Sequence, residues 1–206
     1  LDMRMDSSGH PSAFDVVNFC LEKVLADIIF HYGEEKKAFK IAKKIVNERK
    51  NTKITNTTQL ANLVRSVLPS NFKTDPATRT FQAIRMAVND ELNELSKGLN
   101  ISEKTLKANG ILAVITFHSI EDRLVKEFGK MKSGRVSRGS RYGPDMEASE
   151  PTLLPINNRV RKPTQKEIDE NTRARSGKLR VFRKTAVASS IECKRLYYPK
   201  IELGLI

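Results

Sequence analysis

The chain has 206 residues, enough for one domain or a pair of small ones. Its apolar fraction of 39% lies well above that of disordered chains, and no apolar run approaches the roughly 18 residues of a membrane span, so a soluble protein is expected. Lys and Arg number 37 against 24 Asp and Glu, leaving +13 and a pI near 9.8, an excess that attracts polyanions and makes nucleic acid the first partner to test. Cys20 and Cys193 stand far apart and the three histidines are scattered, so neither a disulfide framework nor a metal site is encoded, and a reducing compartment fits best. The chain opens on Leu1 without a secretory signal, which says nothing about location if residues precede it.

From Ser12 to about Leu68 apolar residues recur at helical spacing. Val16, Val17, Cys20 and Leu21 are followed by Val24, Leu25, Ile28 and Ile29, and then by the stripe Ile41, Ala42, Ile45 and Val46. Lys36, Lys37, Lys40, Lys43 and Lys44 fall on the remaining faces of that last segment, a pattern that fits a solvated surface or an RNA-binding one. Thr57 or Thr58 is placed to cap a further helix carrying Leu60, Leu63, Val64 and Val67, closed by Pro69.

Asp75-Pro76 then opens one long helix with Phe81, Ile84, Val88, Leu92 and Leu95 along its apolar side. The run Ile111 to Phe117 is continuous and rich in β-branched residues, which predicts a strand covered on both faces in a parallel sheet. A helix from about Ile120 to Met131 follows, with Ser119 and Asp122 spaced as a capping box, so the segment reads as half of a βαβ unit. Residues 132–153 lack periodicity and read as a mobile loop. Ile156 to Arg161 forms a candidate short strand, Pro163-Thr164 with Glu167 starts a brief helix, and Lys178 to Arg183 alternates as a final strand. Between Arg123 and Lys184 there are 17 Lys or Arg against 7 Asp or Glu, a surplus of 10 that holds most of the net charge.

Glycine-rich phosphate loops, a zinc-protease helix and a serine-hydrolase elbow are all absent. The segments that remain are local. LDMRMD offers Asp2, Arg4 and Asp6, which fit a ligand or, more commonly, a surface loop with internal ion pairs. The helix from Ala77 to Leu92 carries a row of Arg79, Gln82, Arg85 and Asn89, suited to a phosphate or base edge or to plain solvent. FHSIEDR places His118 and Ser119 where open parallel sheets bind ligands, at the carboxyl end of a strand, although Ser119, Glu121 and Asp122 also serve a helix N-terminus. NTRARSGKLR packs Arg173, Arg175, Lys178 and Arg180 into ten residues, as a phosphate-gripping stretch does.

In order, LDMRMD, YGEEKKAFKIAKKIV, ATRTFQAIRMAVNDELNEL, GILAVITFHSIEDRLVKEF and NTRARSGKLR resemble the RsmH/MraW family of S-adenosylmethionine-dependent methyltransferases acting on small-subunit ribosomal RNA. The resemblance runs from Leu1 to about Lys184. It implies an α/β fold: the C-terminal part of a doubly wound, Rossmann-like methyltransferase sheet plus an inserted small helical domain. Residues 1–11 would end the N-terminal catalytic half, 12–75 form the helical insert and 76–184 the later part of the catalytic domain, with 185–206 an atypical apolar tail. It also implies methylation of cytidine N4, with small-subunit ribosomal RNA or the small ribosomal subunit as partner and no membrane.

Within the resemblance, His118 and Glu121 are the expected catalytic pair. Arg4, Asp6, Arg79, Gln82, Arg85, Asn89, Ser119, Asp122, Arg173, Arg175 and Lys178 are the expected substrate residues, and no metal is expected. The family's glycine-rich cofactor loop, acidic ribose residue and D-L-G-V-S-S segment would lie upstream of Leu1, so S-adenosylmethionine is expected to find an incomplete site and the chain alone to be inactive. The competing reading is a cofactor-free RNA-binding or ribosome-assembly module. Asp15 to Asn18 and Tyr32 to Glu35 are similar to animal mitochondrial members, which implies a mitochondrial matrix location, with a bacterial cytoplasm as the alternative.

Overall fold

A computed structural model describes residues 1–6, 8–9, 11–68, 75–134, 150–157, 159–189 and 201–205. They form two compact units, 1–91 with 198–206, and 92–197. None of the described helices is long and apolar enough to cross a membrane.

The first unit is helical, as the periodicity predicts. Ser12 caps α1 (Ala13–Phe19) in a reciprocal box, its hydroxyl accepting from the Asp15 N–H while Asp15 accepts from the Ser12 N–H. There follow α2 (Glu22–Gly33), α3 (Ala38–Arg49), α4 (Thr57–Val67) and α5 (Thr78–Val88). The cap of α4 is Asn56, boxed with Gln59, one residue before the expected threonines, and Pro69 lies outside the described residues. Val16, Val17, Leu25, Ile28, Ile41, Ile45, Leu60 and Ile84 are fully buried together with their neighbours and form the core. Gly33 is required where α2 meets α5, since a Cβ there would stand 2.9 Å from the Arg79 carbonyl oxygen.

Two polar side chains stitch this unit, Asn18 buried and Arg49 half-buried. The Asn18 amide pairs with both backbone groups of Ile54, donating to the carbonyl at 2.9 Å and accepting from the N–H at 3.0 Å. Arg49 donates to the Val17 and Cys20 carbonyls at the end of α1, groups a helix leaves without intrahelical partners. Residues 201–205 of the apolar tail lie beside the start of α2, where Leu205 bridges to Cys20 and Leu21 donates to the Gly204 carbonyl.

The helix expected to continue through Leu95 instead breaks. Asp90 adopts φ +48°, a left-handed conformation that Asp and Asn tolerate better than most residues, and α6 (Glu91–Thr105) starts immediately after it. The Asn89 side chain donates to the carbonyls of Met3 and Arg85 and accepts from the Met5 N–H at 2.8 Å. An asparagine that bonds backbone on three sides ends the helix and pins the first residues of the chain.

The second unit mixes helix and sheet, in line with the α/β fold class. β1 (Ile111–Thr116), β2 (Leu153–Pro155) and β3 (Lys178–Lys184) lie in the order β1-β3-β2 with both pairings antiparallel. The parallel pairing is therefore corrected among the described residues, since β1 pairs there with the antiparallel β3. The strand, turn and helix of the expected half-unit are present, and α7 (Ser119–Lys132) leads from β1 to β2, which run in the same direction on either side of β3. Coverage on both faces is corrected too. Thr116 is buried on one side, whereas Ile111, Ile115 and Phe117 are exposed on the other, Ile115 by 62%. A continuous apolar run encodes a strand, but which strand pairs with it is set by residues far away. α7 buries Ile120, Leu124, Val125 and Phe128, and Gly129 lets it lie directly on Phe182, whose ring a Cβ at that position would meet at 2.3 Å.

α7 runs to Lys132 and β2 starts at Leu153, so the expected loop 132–153 is structured at both ends, and its residues 135–149 lie outside the described ones. The candidate strand Ile156 to Arg161 reduces to a single bridge from Arg161 to Leu179, with β2 just before it. Thr164 caps the brief helix α8 (Gln165–Glu170), and a 3-10 turn spans Thr172–Ser176. Glu103 and Lys132 pair inside this unit at 2.6 Å with 1% and 5% of their side chains exposed, and the Thr152 hydroxyl donates to the same carboxylate.

Candidate functional site

The expected site residues fall into two groups, one in each unit. In the first unit the row on α5 is largely occupied by its own neighbours. Arg85 forms a bidentate pair with Glu91 at 2.7 and 2.9 Å, and Asn89 is spent on the backbone as described above. Among the described residues Gln82 donates to the Met86 sulfur alone, at 3.7 Å. Arg79 is well exposed, with its guanidinium 3.9 Å from the Glu35 carboxylate. In LDMRMD, Arg4 grips Asp2 through two contacts of 2.6 and 2.9 Å and holds that carboxyl down at about 2. Asp6 accepts from the N–H and hydroxyl of Ser8. The carbonyls of Leu1 and Asp2 accept from Phe14 and Ala13, so this segment caps α1 as well as lying beside α5.

In the second unit the residues after β1 converge. The helix cap is His118, and not the Ser119–Asp122 pair that spacing suggests. His118 Nδ1 accepts from the Glu121 N–H at 3.3 Å, and Glu121 Oε2 accepts from the N–H groups of Phe117 (2.9 Å) and His118 (3.4 Å). Because Nδ1 accepts, the neutral ring carries its proton on Nε2. That buried nitrogen lies 3.2 Å from Glu121 Oε1, a distance at which protonated imidazole would form an ion pair, but its N–H is not aligned for a hydrogen bond. Burial pushes the Glu121 carboxyl up, but the His118 imidazole and the backbone donors outweigh it and leave the group below its ordinary value. Glu121 is therefore a held carboxylate and an acceptor, not a proton donor at neutral pH.

Asp122 sits one position further and takes the strand's cations, Arg180 at 2.7 Å and Lys178 at 3.3 Å. Burial raises its carboxyl, and Arg180 and then Lys178 more than reverse this. Lys178 is thus partly neutralised, and Arg180 shares its carboxylate across the sheet. Ser119 is exposed on the first turn of α7. Arg173 and Arg175 are exposed on the 3-10 turn without an ion-pair partner among the described residues, and with Thr172, Ser176 and Phe117 they line an open hollow of about 400 Å³. Phe117 is 56% exposed, whereas its place in a continuous apolar run predicts a covered strand residue and no site role. Its place after a strand and before a polar cap was the available signal. An exposed flat ring that shares a hollow with two arginines, next to a held carboxylate, is suited to stacking a base and gripping its phosphates.

A family model described as the MraW methylase family matches residues 1–185. The protein named Ribosomal RNA small subunit methyltransferase H from Jannaschia sp. (strain CCS1) is 48% identical over 205 residues, covering 98% of this chain and 62% of its own length. Proteins of the same name from Paramagnetospirillum magneticum (strain ATCC 700264 / AMB-1) and Parvibaculum lavamentivorans are 48% and 47% identical over 189 residues, covering 90% of this chain and 59% and 55% of their own lengths. The chain thus spans about 60% of the length of the curated relatives it matches. These relatives are bacterial and lend nothing to the mitochondrial expectation.

Proposed function

Because this chain belongs to the MraW methylase family, we propose that it carries the RNA-facing part of an S-adenosylmethionine-dependent methyltransferase that modifies cytidine N4 in small-subunit ribosomal RNA. The observation that carries this reading is the cluster after β1: Phe117 lining one hollow with Arg173 and Arg175, next to the Glu121–His118 cap. The exocyclic nitrogen of cytosine is a poor nucleophile because its lone pair is delocalised into the ring. A site that uses it must hold the base and offer acceptors to its amino hydrogens. Phe117 supplies the stacking surface, the two arginines hold phosphate, and Glu121 Oε1, the carboxylate oxygen not taken by backbone donors, accepts from the amino group. On this reading residues 12–75 are the helical insert and 76–184 the later part of the catalytic domain.

The methyl donor does not fit the hollows described. Its ribose hydroxyls, ammonium and sulfonium call for carboxylate and carbonyl acceptors. The hollow at Phe117 presents Arg173 and Arg175, and a second one of about 250 Å³ beside Gly129 presents Lys126, Lys130 and Arg180. Neither is lined by a carboxylate, and both repel a sulfonium. The same observation favours, as a second reading, an RNA-binding module that works without the cofactor.

The two readings separate in one experiment. The chain is joined to the part of the Jannaschia relative that it does not match, and transfer of a tritiated methyl group to small ribosomal subunits is followed. The methyltransferase reading expects no transfer by the chain alone, transfer by the joined protein, and a loss of at least 100-fold in Glu121→Gln and in Arg173→Ala/Arg175→Ala. RNA binding with no transfer by a folded joined protein selects the module.

A further inference from the structure

We infer that the solvent side of α3 is a second RNA-docking surface, in which Phe39 stacks an unpaired base while the surrounding lysines hold the phosphates on either side. The inference rests on the reading that the partner is RNA, but it concerns residues that the cluster after β1 does not contain.

At about 100° per residue, the buried side chains Ala38, Ile41, Ala42 and Ile45 share one side of α3. The opposite arc, running from Phe39 through Lys43 and Lys40 to Lys44, is exposed throughout. Lys36 and Lys37 in the preceding turn and Lys50 at the following cap are exposed as well. Between Lys36 and Lys50 the only carboxylate is Glu48, at the rim of this arc, and none of the six lysines has an ion-pair partner among the described residues. A stabilising helix surface normally interleaves signs at i,i+4, whereas along this arc Lys36, Lys40 and Lys44 follow one another at that spacing before Glu48 is reached, and Glu48 forms no ion pair with Lys44 among the described residues. Its like charges repel unless a polyanion lies against them.

Phe39 is the second observation. It is 62% exposed in the first turn of a helix whose apolar side is already filled, with Lys36 three positions before it and Lys43 four positions after it. A membrane-binding helix would set several apolar residues together on the exposed side, and an acidic protein partner would need no ring. A single aromatic ring ringed by lysines matches single-stranded RNA, where bases stack on rings and phosphates follow cations.

The test uses the 206-residue chain and a fluorescein-labelled, unstructured 16-nucleotide RNA, with anisotropy titrations across a range of salt. Lys40→Gln/Lys43→Gln/Lys44→Gln is expected to weaken binding and to lower the salt slope by about 2, three phosphate contacts at roughly 0.7 each for single strands. Phe39→Ala is expected to weaken binding about ten-fold with the slope unchanged, the signature of a lost stack. All four side chains are exposed, so the circular-dichroism melts should match wild type. An unaltered slope and affinity in the lysine variant overturns the inference, whatever Arg173→Gln/Arg175→Gln does. Poly-glutamate binding as tightly as the RNA, with Phe39→Ala neutral toward both, also overturns it in favour of an acidic protein partner. Weakening by the α3 variants together with full binding by the arginine variant supports the α3 surface and removes the proposed site after β1. A wild-type chain that binds no RNA sinks both.

Discussion

Lys132→Ala tests the buried pair that ties α6, α7 and the approach to β2. The substitution strands the Glu103 carboxylate, 1% exposed, with the Thr152 hydroxyl as its remaining partner. Removing one member of a desolvated pair costs about 3–5 kcal/mol, because the surviving charge cannot recover its hydration. That is a large part of the roughly 5–15 kcal/mol that holds a domain folded. With a urea slope of about 2 kcal/mol/M, the transition of the second unit should fall by about 2 M, followed by circular dichroism and by hydrogen exchange in α7. The double variant Glu103→Leu/Lys132→Met should be far milder than Lys132→Ala, since it removes both charges and keeps the volume, losing mainly the Thr152 bond at about 1 kcal/mol. The reasoning fails if Lys132→Ala shifts the transition by less than the equivalent of about 1 kcal/mol, or if the double variant is worse than the single one.

Asp122 is held below its ordinary value of 3.8, so its contribution to stability is full above that value and is lost as the pH falls through the lower folded-state value. Asp122→Asn should therefore flatten the acid limb below about pH 4 in urea midpoints measured from pH 2.5 to 6. Gly129→Ala forces a methyl group against the Phe182 ring and should cost about 1–3 kcal/mol in thermal unfolding, with partial rescue by Phe182→Leu. Cys20 is fully buried and its thiol is pushed up to about 11 by burial, so the folded chain should leave its peptide unalkylated by iodoacetamide at pH 8, as read by mass spectrometry.

Where a feature depends on residues three or four apart, the sequence was enough. The stripes of α1 to α4, the helix start at Thr164 and the final strand β3 are all local, and the backbone follows them. At Asn89 the same logic fails, because the apolar spacing runs on into α6 while the asparagine bonds Met3 and Met5, more than eighty positions away. Next to β1, the spacing of Ser119 and Asp122 matches a capping box as well as His118 and Glu121 do. Only the cations of β3 draw Asp122 away and leave His118 and Glu121 to cap α7.

The amino-acid sequence by itself determined the family, the basic charge, the helical first third and most of the residues after β1 that gather into the candidate site. Tertiary structure decided that β1 runs antiparallel to β3, that Phe117 stands in the open in a hollow shared with Arg173 and Arg175, and that Glu103 and Lys132 meet out of water. Strand direction and charge burial are fixed by segments tens of residues apart in the chain. Local periodicity records which side of an element is apolar, and only the folded chain settles what that side meets.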